Sequence, residues 1–202
     1  MIVTKYESEA EWLAGRECNI TGTKLKDITP KLRGSGRKIG FYKLAADFLG
    51  VPDDTVDGMG RGHELEEEGV IALSEAVGIE FEHELVMWKS DNNPAIAYSP
   101  DGYTKDFVVT AELKHLGSAR HLEIIDTDRI PTEYWAQMIQ SFIVNEKQKI
   151  HYFASRDPRV TARPLHYIET LREEVEGDID KYLTIQEDVL EDVKEFIERI
   201  AF

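Results

Sequence analysis

Residues 99–114 read SPDGYTKDFVVTAELK, which is a polar turn followed by a run of strand-forming residues. The first four residues have turn chemistry, and the β-branched, apolar second half predicts a well-buried strand. Side chains two apart in a strand point to the same face, so Glu112 and Lys114 project side by side while Leu113 points into the core. Asp101 precedes a strand that can pair with this one, and that pairing would bring both carboxylates to one point.

Two carboxylates and a lysine in this arrangement suit phosphodiester chemistry. Mg²⁺ prefers oxygen ligands and retains waters, and Asp101, Glu112 and the backbone carbonyl of Leu113 form an open site of that kind. A bound metal polarises a phosphoryl oxygen and generates hydroxide from water, and the charge of Lys114 would stabilise the developing anion. A structural ion pair between Glu112 and Lys114 is the alternative, because Glu-x-Lys alone is a weak motif.

Helical and extended patterns alternate along the rest of the chain. Apolar residues at helical spacing, bounded by glycine or proline, predict helices at 9–16, 39–49, 62–77, 132–144 and 178–201. Shorter alternating or β-branched runs predict strands at 81–88, 96–98, 150–154 and 165–168. Helices therefore bracket a central sheet, and we expect a layered α/β domain.

The composition fits one globular domain without a membrane partner. A chain of 202 residues, of which 42% are hydrophobic, is long enough to bury a core. Its apolar runs are shorter than the roughly 18 residues that a membrane span requires, and the N-terminus has no apolar signal core. Cys18 is the only cysteine, which excludes an internal disulfide and a four-cysteine iron–sulfur site. We therefore expect a cytoplasmic protein.

The formal net charge of −15 argues against strong non-specific binding of nucleic acid. The charge is unevenly distributed, because acidic residues concentrate between Glu169 and Glu198. The segment from Lys24 to Lys43 is basic, and Asp27 is its only acid. A local basic face can still contact a phosphate backbone, and metal ions can offset the acids of a site.

Four motifs follow one another along the chain. They are Gly-x-x-x-Glu at 62–66, Ser-Pro-Asp-Gly at 99–102, Glu-x-Lys at 112–114 and Tyr-x-Ala-Gln at 134–137. In this order the sequence resembles the bacteriophage lambda exonuclease family, the YqaJ-type viral recombinases of the PD-(D/E)XK nuclease superfamily. The resemblance spans nearly the whole chain, from Trp12 to the region of Tyr167. It implies an α/β PD-(D/E)XK nuclease core, in which a central mixed β-sheet is flanked by helices.

The resemblance assigns roles to the residues of these motifs. Asp101 and Glu112 match the two core metal ligands of the family, and Glu66 matches a helix-borne acid that supports the metal site. Lys114 matches the catalytic lysine, and Gln137 matches a glutamine that lines the site. The implied cofactor is Mg²⁺, for which Mn²⁺ can substitute.

Other residues match the contacts of the family with DNA. Arg16, with Thr21 and Thr23, matches the pocket for the 5′-phosphate of the digested strand, and Arg33 and Arg120 match further positions near the DNA. The resemblance implies 5′-to-3′ digestion of one strand of linear double-stranded DNA. It also implies a ring-shaped homotrimer that acts with a single-strand annealing protein in phage-type recombination in a bacterial cell.

We predict one nuclease domain over residues 1–202. An N-terminal helical segment to about residue 60 would contact DNA ends, the catalytic core would span about 61–170, and an amphipathic helix would follow at 178–201. Two alternatives are a PD-(D/E)XK endonuclease of restriction or repair type and a non-catalytic DNA-end-binding recombination adaptor. A third is an acidic protein-interaction domain that uses the C-terminal helix.

The remaining candidates have ordinary structural explanations. Trp12, Trp88 and Trp135 are expected in the core, and Gln140, taken alone, is expected at the surface. The six histidines lack the spacing of a metal site, and we interpret them as structural or exposed. His115 is the exception that can lie close to the site. It follows the Glu-x-Lys motif at a position where many relatives have Cys-Pro.

Overall fold

The computed structural model describes residues 1–28, 62–116 and 118–200. The helix predicted at 39–49, the DNA contact predicted at Arg33 and most of the basic segment lie outside the described residues. The described helices are α1 (Glu9–Gly15), α2 (Gly22–Ile28), α3 (Gly62–Val77), α4 (Ser118–Thr127), α5 (Thr132–Val144) and α6 (Glu176–Ile200). The described strands are β1 (Ile2–Lys5), β2 (Val86–Lys89), β3 (Ala97–Tyr98), β4 (Gly102–Tyr103), β5 (Val109–His115), β6 (Ile150–Arg156) and β7 (Leu165–Leu171).

The described strands form two β-sheets. The larger sheet has the order β4-β5-β6-β7, in which β5 and β6 run parallel while β4 and β7 pair antiparallel with their neighbours. Parallel neighbours require a long crossover, which α4 and α5 provide between β5 and β6. The smaller sheet is antiparallel and has the order β1-β2-β3. The predicted central mixed sheet with flanking helices is confirmed.

The two faces of β5 have opposite chemistry. One face packs against α3 in an apolar cluster that contains Val70, Leu73, Val109, Ala111 and Leu113. The other face carries Thr110, Glu112 and Lys114 and lies towards α5, from which Gln137 reaches Glu112. This alternation is the one that a strand of period two produces. The strand therefore packs through one face and presents its polar side chains on the other.

Local signals set the ends of the two helices beside the sheet. Gly78 ends α3 with φ of 70°, a left-handed conformation that glycine adopts without steric strain. Pro131 precedes α5, where a missing N–H breaks no helical hydrogen bond. Arg172 donates to the carbonyls of Phe142 and Asn145 at 2.6 and 2.8 Å, which satisfies acceptors at the C-terminal end of α5. The predicted limits of both helices are confirmed.

Several described elements differ from the sequence prediction. The N-terminal segment predicted to be helical begins with β1, an exposed edge strand that has no buried face for a pattern to reveal. Of the strand predicted at 81–88, only the last residues are paired as a strand, in β2. The residues before β2 contact the larger sheet through one isolated bridge, between Glu82 and Tyr103. Helices α2 and α4 were not predicted. None of the described helices is long and apolar enough to cross a membrane.

Gln140 is completely buried, and the expectation that it lies at the surface is wrong. Its side-chain amide donates to the carbonyls of Ile20 and Ala97 at 2.9 and 3.0 Å. The same nitrogen lies 2.9 Å from Oε1 of Gln186, so its two N–H groups are shared among three acceptors. Gln140 of α5 therefore connects the N-terminal segment, β3 and α6 through hydrogen bonds.

We predict that Gln140→Leu destabilises the protein. Leucine fills a similar volume but removes one donor from each of the carbonyls of Ile20 and Ala97, of which the Ile20 carbonyl keeps the Ala97 N–H at 3.0 Å. The free energy of unfolding should therefore fall by about 1–3 kcal/mol. Urea denaturation followed by circular dichroism measures the change. The control Glu195→Gln, on the exposed side of α6, should change stability by less than about 0.5 kcal/mol. An equally small effect of Gln140→Leu would contradict the role of this residue.

Candidate active site

A cavity of about 280 Å³ opens beside β5, between the turn before β4 and the N-terminal segment. Most of the residues that the family resemblance singled out line it. They are Arg16, Thr23, Glu66, Asp101, Glu112, Lys114 and Gln137. The sequence therefore identified residues that are far apart in the chain and lie around one cavity in the fold.

The pairing of β4 with β5 brings the first carboxylate to the cavity. Gly102 is opposite Ala111 in the ladder, and the N–H of Asp101 donates to the Ala111 carbonyl at 3.2 Å. The Asp101 carboxylate then accepts the backbone N–H of Leu113 at 2.6 Å. The N–H and C=O of a strand residue point to the same strand edge, so the Leu113 carbonyl also lies on the side of Asp101. The predicted convergence of a turn aspartate with the strand is confirmed.

Glu112 lies on the floor of the cavity with only 1% of its surface exposed. Its Oε1 accepts from the ammonium group of Lys114 and from the side-chain amide of Gln137. Its Oε2 accepts from the hydroxyl of Tyr98 at 3.0 Å. Donors from three separate elements thus hold this buried carboxylate, which is what a buried charge requires.

Burial raises the pKa of both carboxyl groups. Burial of Glu112, together with the nearby charge of Asp101 and against the effect of Lys114, raises its pKa to about 7. Burial raises the pKa of Asp101 to about 6, where Lys114 opposes the shift and Glu66 adds to it. Burial also acts to lower the pKa of Lys114, but Glu112 and Asp101 outweigh it and raise that pKa. Lys114 therefore stays cationic beside two carboxyl groups whose ionised form is disfavoured by burial.

The donor set fits a hard divalent cation. The carboxylates of Asp101 and Glu112 and the carbonyl of Leu113 offer oxygen ligands around one cavity, which is the chemistry that Mg²⁺ prefers. Glu66 lines the same cavity and interacts electrostatically with Asp101. Across residues 1–28, 62–116 and 118–200, no three His, Cys, Asp or Glu side chains form a ready-made metal cluster. Asp101 and Glu112 are the residues best placed to hold a metal, and Glu66 lines the same cavity.

Arg16 and two threonines form a polar pocket at the other end of the cavity. The Arg16 guanidinium donates to the hydroxyls of Thr23 and Thr21 at 3.1 and 3.5 Å. It lies over the ring of Trp12, 4.3 Å from the centroid, and the Trp12 indole donates to Ser99 at 3.2 Å. The core position expected for Trp12 is wrong, because its ring is partly exposed and supports the arginine.

A glycine allows the N-terminal segment to approach α5 closely. Gly22 begins α2, and a Cβ added there would lie 2.9 Å from the side chain of Gln137 and 3.2 Å from its Cα. Real Cβ atoms essentially never approach another atom to less than 3.0 Å. A residue with a side chain at this position would therefore push Gln137 away from Glu112 or move α2.

Three residues of the site had no assigned role in the sequence analysis. Tyr98 directly precedes the Ser-Pro-Asp-Gly turn, and its position could have signalled its contact with Glu112. Tyr134 belongs to the Tyr-x-Ala-Gln motif, and its ring centroid lies 5.4 Å from the Lys114 ammonium nitrogen. His83 donates through Nδ1 to the backbone carbonyl of Asp101 at 2.8 Å, and nothing in the sequence pattern indicated it.

Two of the residues considered earlier lie away from the cavity. Arg120, on α4, is half-exposed and forms ion pairs with Glu123 and Glu133. His115 points to the opposite face of β5, next to Gly69 of α3, so the expectation that it lies close to the carboxylates is wrong. The predicted role of Arg120 in DNA contact stays a prediction.

A mixed sheet that presents two carboxylates and a lysine at one edge defines a nuclease of the PD-(D/E)XK class. The YqaJ-like viral recombinase domain matches residues 11–148, which include both the arginine pocket and strands β4 and β5. The chain belongs to this family of nucleases, the lambda exonuclease family. No curated protein matches it.

Solved structures of exonucleases share the fold. The alkaline exonuclease from Laribacter hongkongensis has a TM-score of 0.78 at 20% identity, over 95% of this chain and 98% of that chain. Its structure in complex with dAMP has a TM-score of 0.77 at 20% identity, over 95% of this chain and 98% of that chain. A phage related exonuclease from Haemophilus somnus 129PT has a TM-score of 0.62 at 11% identity, over 90% of this chain and 96% of that chain.

The raised pKa values predict that Asp101→Asn stabilises the metal-free protein. The folded pKa of about 6 lies above the ordinary 3.8, so ionisation of Asp101 destabilises the fold progressively as pH rises from about 4 to about 6, and fully above that. Asparagine keeps an oxygen for the Leu113 N–H and removes the charge. In EDTA at about pH 8 the free energy of unfolding should therefore rise by about 3 kcal/mol. The gain should vanish at about pH 3, where wild-type Asp101 is protonated, and an equal gain there would contradict the electrostatic cause.

Proposed function

We propose that this protein is a Mg²⁺-dependent 5′-to-3′ exonuclease. It digests one strand of linear double-stranded DNA from 5′-phosphorylated ends and leaves a 3′ single strand for phage-type recombination in the bacterial cytoplasm. One observation carries the proposal: the Asp101–Glu112 pair with Lys114 shares a single cavity with the Arg16 pocket. Hydrolytic chemistry and a site for a terminal phosphate are thus within reach of one DNA end.

The residues around Glu112 suit the hydrolysis of a phosphodiester. A divalent cation held by Asp101, Glu112 and the Leu113 carbonyl would polarise a phosphoryl oxygen and lower the pKa of a water. Lys114 keeps its positive charge in the cavity and can stabilise the charge that develops on the phosphoryl group. Gln137 holds Glu112 from the side of α5 and keeps its carboxylate directed at the cavity.

The Arg16 pocket suits a terminal phosphate. A guanidinium group and two hydroxyl groups offer several donors to phosphate oxygens, and arginine binds phosphate in a planar, bidentate manner. The Trp12 ring packs against the Arg16 guanidinium and fixes its orientation. The Laribacter relative was solved in complex with dAMP, a deoxynucleoside monophosphate. Release of mononucleotides from the end of a strand agrees with that ligand.

The net charge of −15 leaves little electrostatic grip on DNA outside the site. We extend the proposal to a ring-shaped homotrimer, which the family resemblance implies, because a ring around the duplex keeps DNA bound by topology. A single-strand annealing protein that receives the 3′ strand completes the proposed role. Chromatography with light scattering tests the trimer, and a monomer at working concentration would contradict it.

Linear and circular substrates test the reaction. We expect Mg²⁺-dependent release of mononucleotides from linear duplex and no cleavage of closed circular duplex, since the site acts at ends. Lys114→Ala should lower the rate about 100-fold or more, because it removes the charge that stabilises the developing anion. The control Lys194→Ala, on the exposed side of α6, should retain full activity. Cutting of the circle would favour an endonuclease, and tight end binding without hydrolysis would favour an adaptor.

End preference tests the Arg16 pocket. Wild type should digest a 5′-phosphorylated duplex at least about tenfold faster than its 5′-hydroxyl counterpart, since a charged hydrogen bond to phosphate contributes about 1.5–3 kcal/mol. Arg16→Ala should reduce the rate on the phosphorylated substrate and abolish the difference between the two ends. The control Arg199→Ala, on exposed α6, should keep the preference. A preference that survives Arg16→Ala would remove this pocket from the proposal.

A further inference from the structure

Tyr98 reaches the catalytic strand from the other sheet. It is in β3 of the three-stranded sheet, opposite Trp88 of β2, and only 1% of its surface is exposed. Its ring packs edge-on against the Trp88 ring with 6.2 Å between centroids. The hydroxyl at the far end of the ring meets Glu112, which belongs to the four-stranded sheet. This tyrosine therefore connects the two sheets at the proposed metal ligand.

The two oxygens of Glu112 are held from different sides. Within the described parts of the chain, Oε1 accepts from Lys114 and Gln137, whereas Oε2 accepts from the Tyr98 hydroxyl at 3.0 Å. The terminal torsion of a glutamate is broad when nothing restrains it. Donors on both oxygens restrict that rotation, and the donor on Oε2 comes from a rigid ring in a packed core.

We propose that Tyr98 is a positioning residue of the nuclease site, whose hydroxyl fixes the Glu112 carboxylate in the orientation that binds the divalent cation. The proposal rests on the proposed metal-dependent function. Partners that orient metal ligands from behind commonly change metal affinity 10–100-fold when they are removed. Tyr98 is outside the four sequence motifs, so its role follows from the fold and not from the resemblance.

The tyrosine is suited to donate in this place. Burial, and then the charges of Glu112 and Asp101, raise the pKa of the Tyr98 hydroxyl well above its ordinary value, so it keeps its proton beside the carboxylate. Phenylalanine would preserve the packing on Trp88 and remove the donor alone. Oε2 of Glu112 would then stay buried and lose the donor that Tyr98 supplies.

The test compares Tyr98→Phe with Tyr152→Phe. Tyr152 is a matched control, because it is also buried in the sheet and donates its hydroxyl to a carboxylate, that of Glu169, on the face of the sheet away from the cavity. Mg²⁺ affinity is measured without DNA, by titration calorimetry and by the rise of the melting temperature with metal. Hydrolysis of linear duplex is then followed as a function of Mg²⁺ concentration.

We expect Tyr98→Phe to bind Mg²⁺ at least about tenfold more weakly. Its rate should fall at low Mg²⁺ and recover in part at high Mg²⁺, while its melting transition in EDTA is retained. Tyr152→Phe should match wild type in Mg²⁺ affinity and in rate.

Three results would overturn the positioning role. The first is an unchanged Mg²⁺ affinity in Tyr98→Phe, and the second is an equal loss of Mg²⁺ affinity in Tyr152→Phe. The third is loss of the melting transition in EDTA for Tyr98→Phe alone, which would show that Tyr98 is required for folding. A wild type that binds Mg²⁺ without digesting DNA would contradict the proposed function. A weaker affinity in Tyr98→Phe would then still support the positioning of Glu112.

Discussion

Two carboxyl groups that share one cavity, a half-buried one in the turn before β4 and a buried one on β5, are the constraint around which this molecule is organised. The carboxylates of Asp101 and Glu112 face one cavity, where burial opposes the ionisation of both and the charge of Asp101 further opposes that of Glu112. The surrounding structure offsets that repulsion with the ammonium group of Lys114 and the backbone N–H of Leu113. Such a site is unfavourable in isolation and persists because packed elements on both sides hold it in place.

Helix α5 joins this site to the rest of the fold. Gln137 and Gln140 lie one turn apart on it, and the first reaches Glu112 while the second fastens the carbonyls of Ile20 and Ala97. Contacts with α5 therefore set the positions of both the Arg16 pocket and strand β5. Any shift of α5 would change the spacing between the Arg16 pocket and the carboxylates, so it would affect the proposed end recognition and the proposed chemistry together.

The sequence predicted the parts of the molecule that depend on local rules. Strand alternation places Glu112 and Lys114 on one face in any tertiary context, and the turn before β4 has its own chemistry. Contacts across long sequence separations were not predictable in this way. Gln140 has its partner Ile20 at a separation of 120 residues, so nothing near it in sequence shows that it is buried. Trp12 was misplaced because a large aromatic residue is usually core, whereas here its face supports a charge.

Insertions and deletions should be tolerated less well within β5 than at the tip of the β4–β5 hairpin, because side chains along β5 alternate strictly between its two faces. Loss of one codon within β5 would exchange its faces, so that Leu113 would enter the cavity and Glu112 the apolar cluster. The tip of the β4–β5 hairpin is free of that restriction, since Asp106 there accepts from Thr104 and Val108 within the loop itself. Length differences among relatives should therefore collect at this tip, while the number of codons in β5 stays constant.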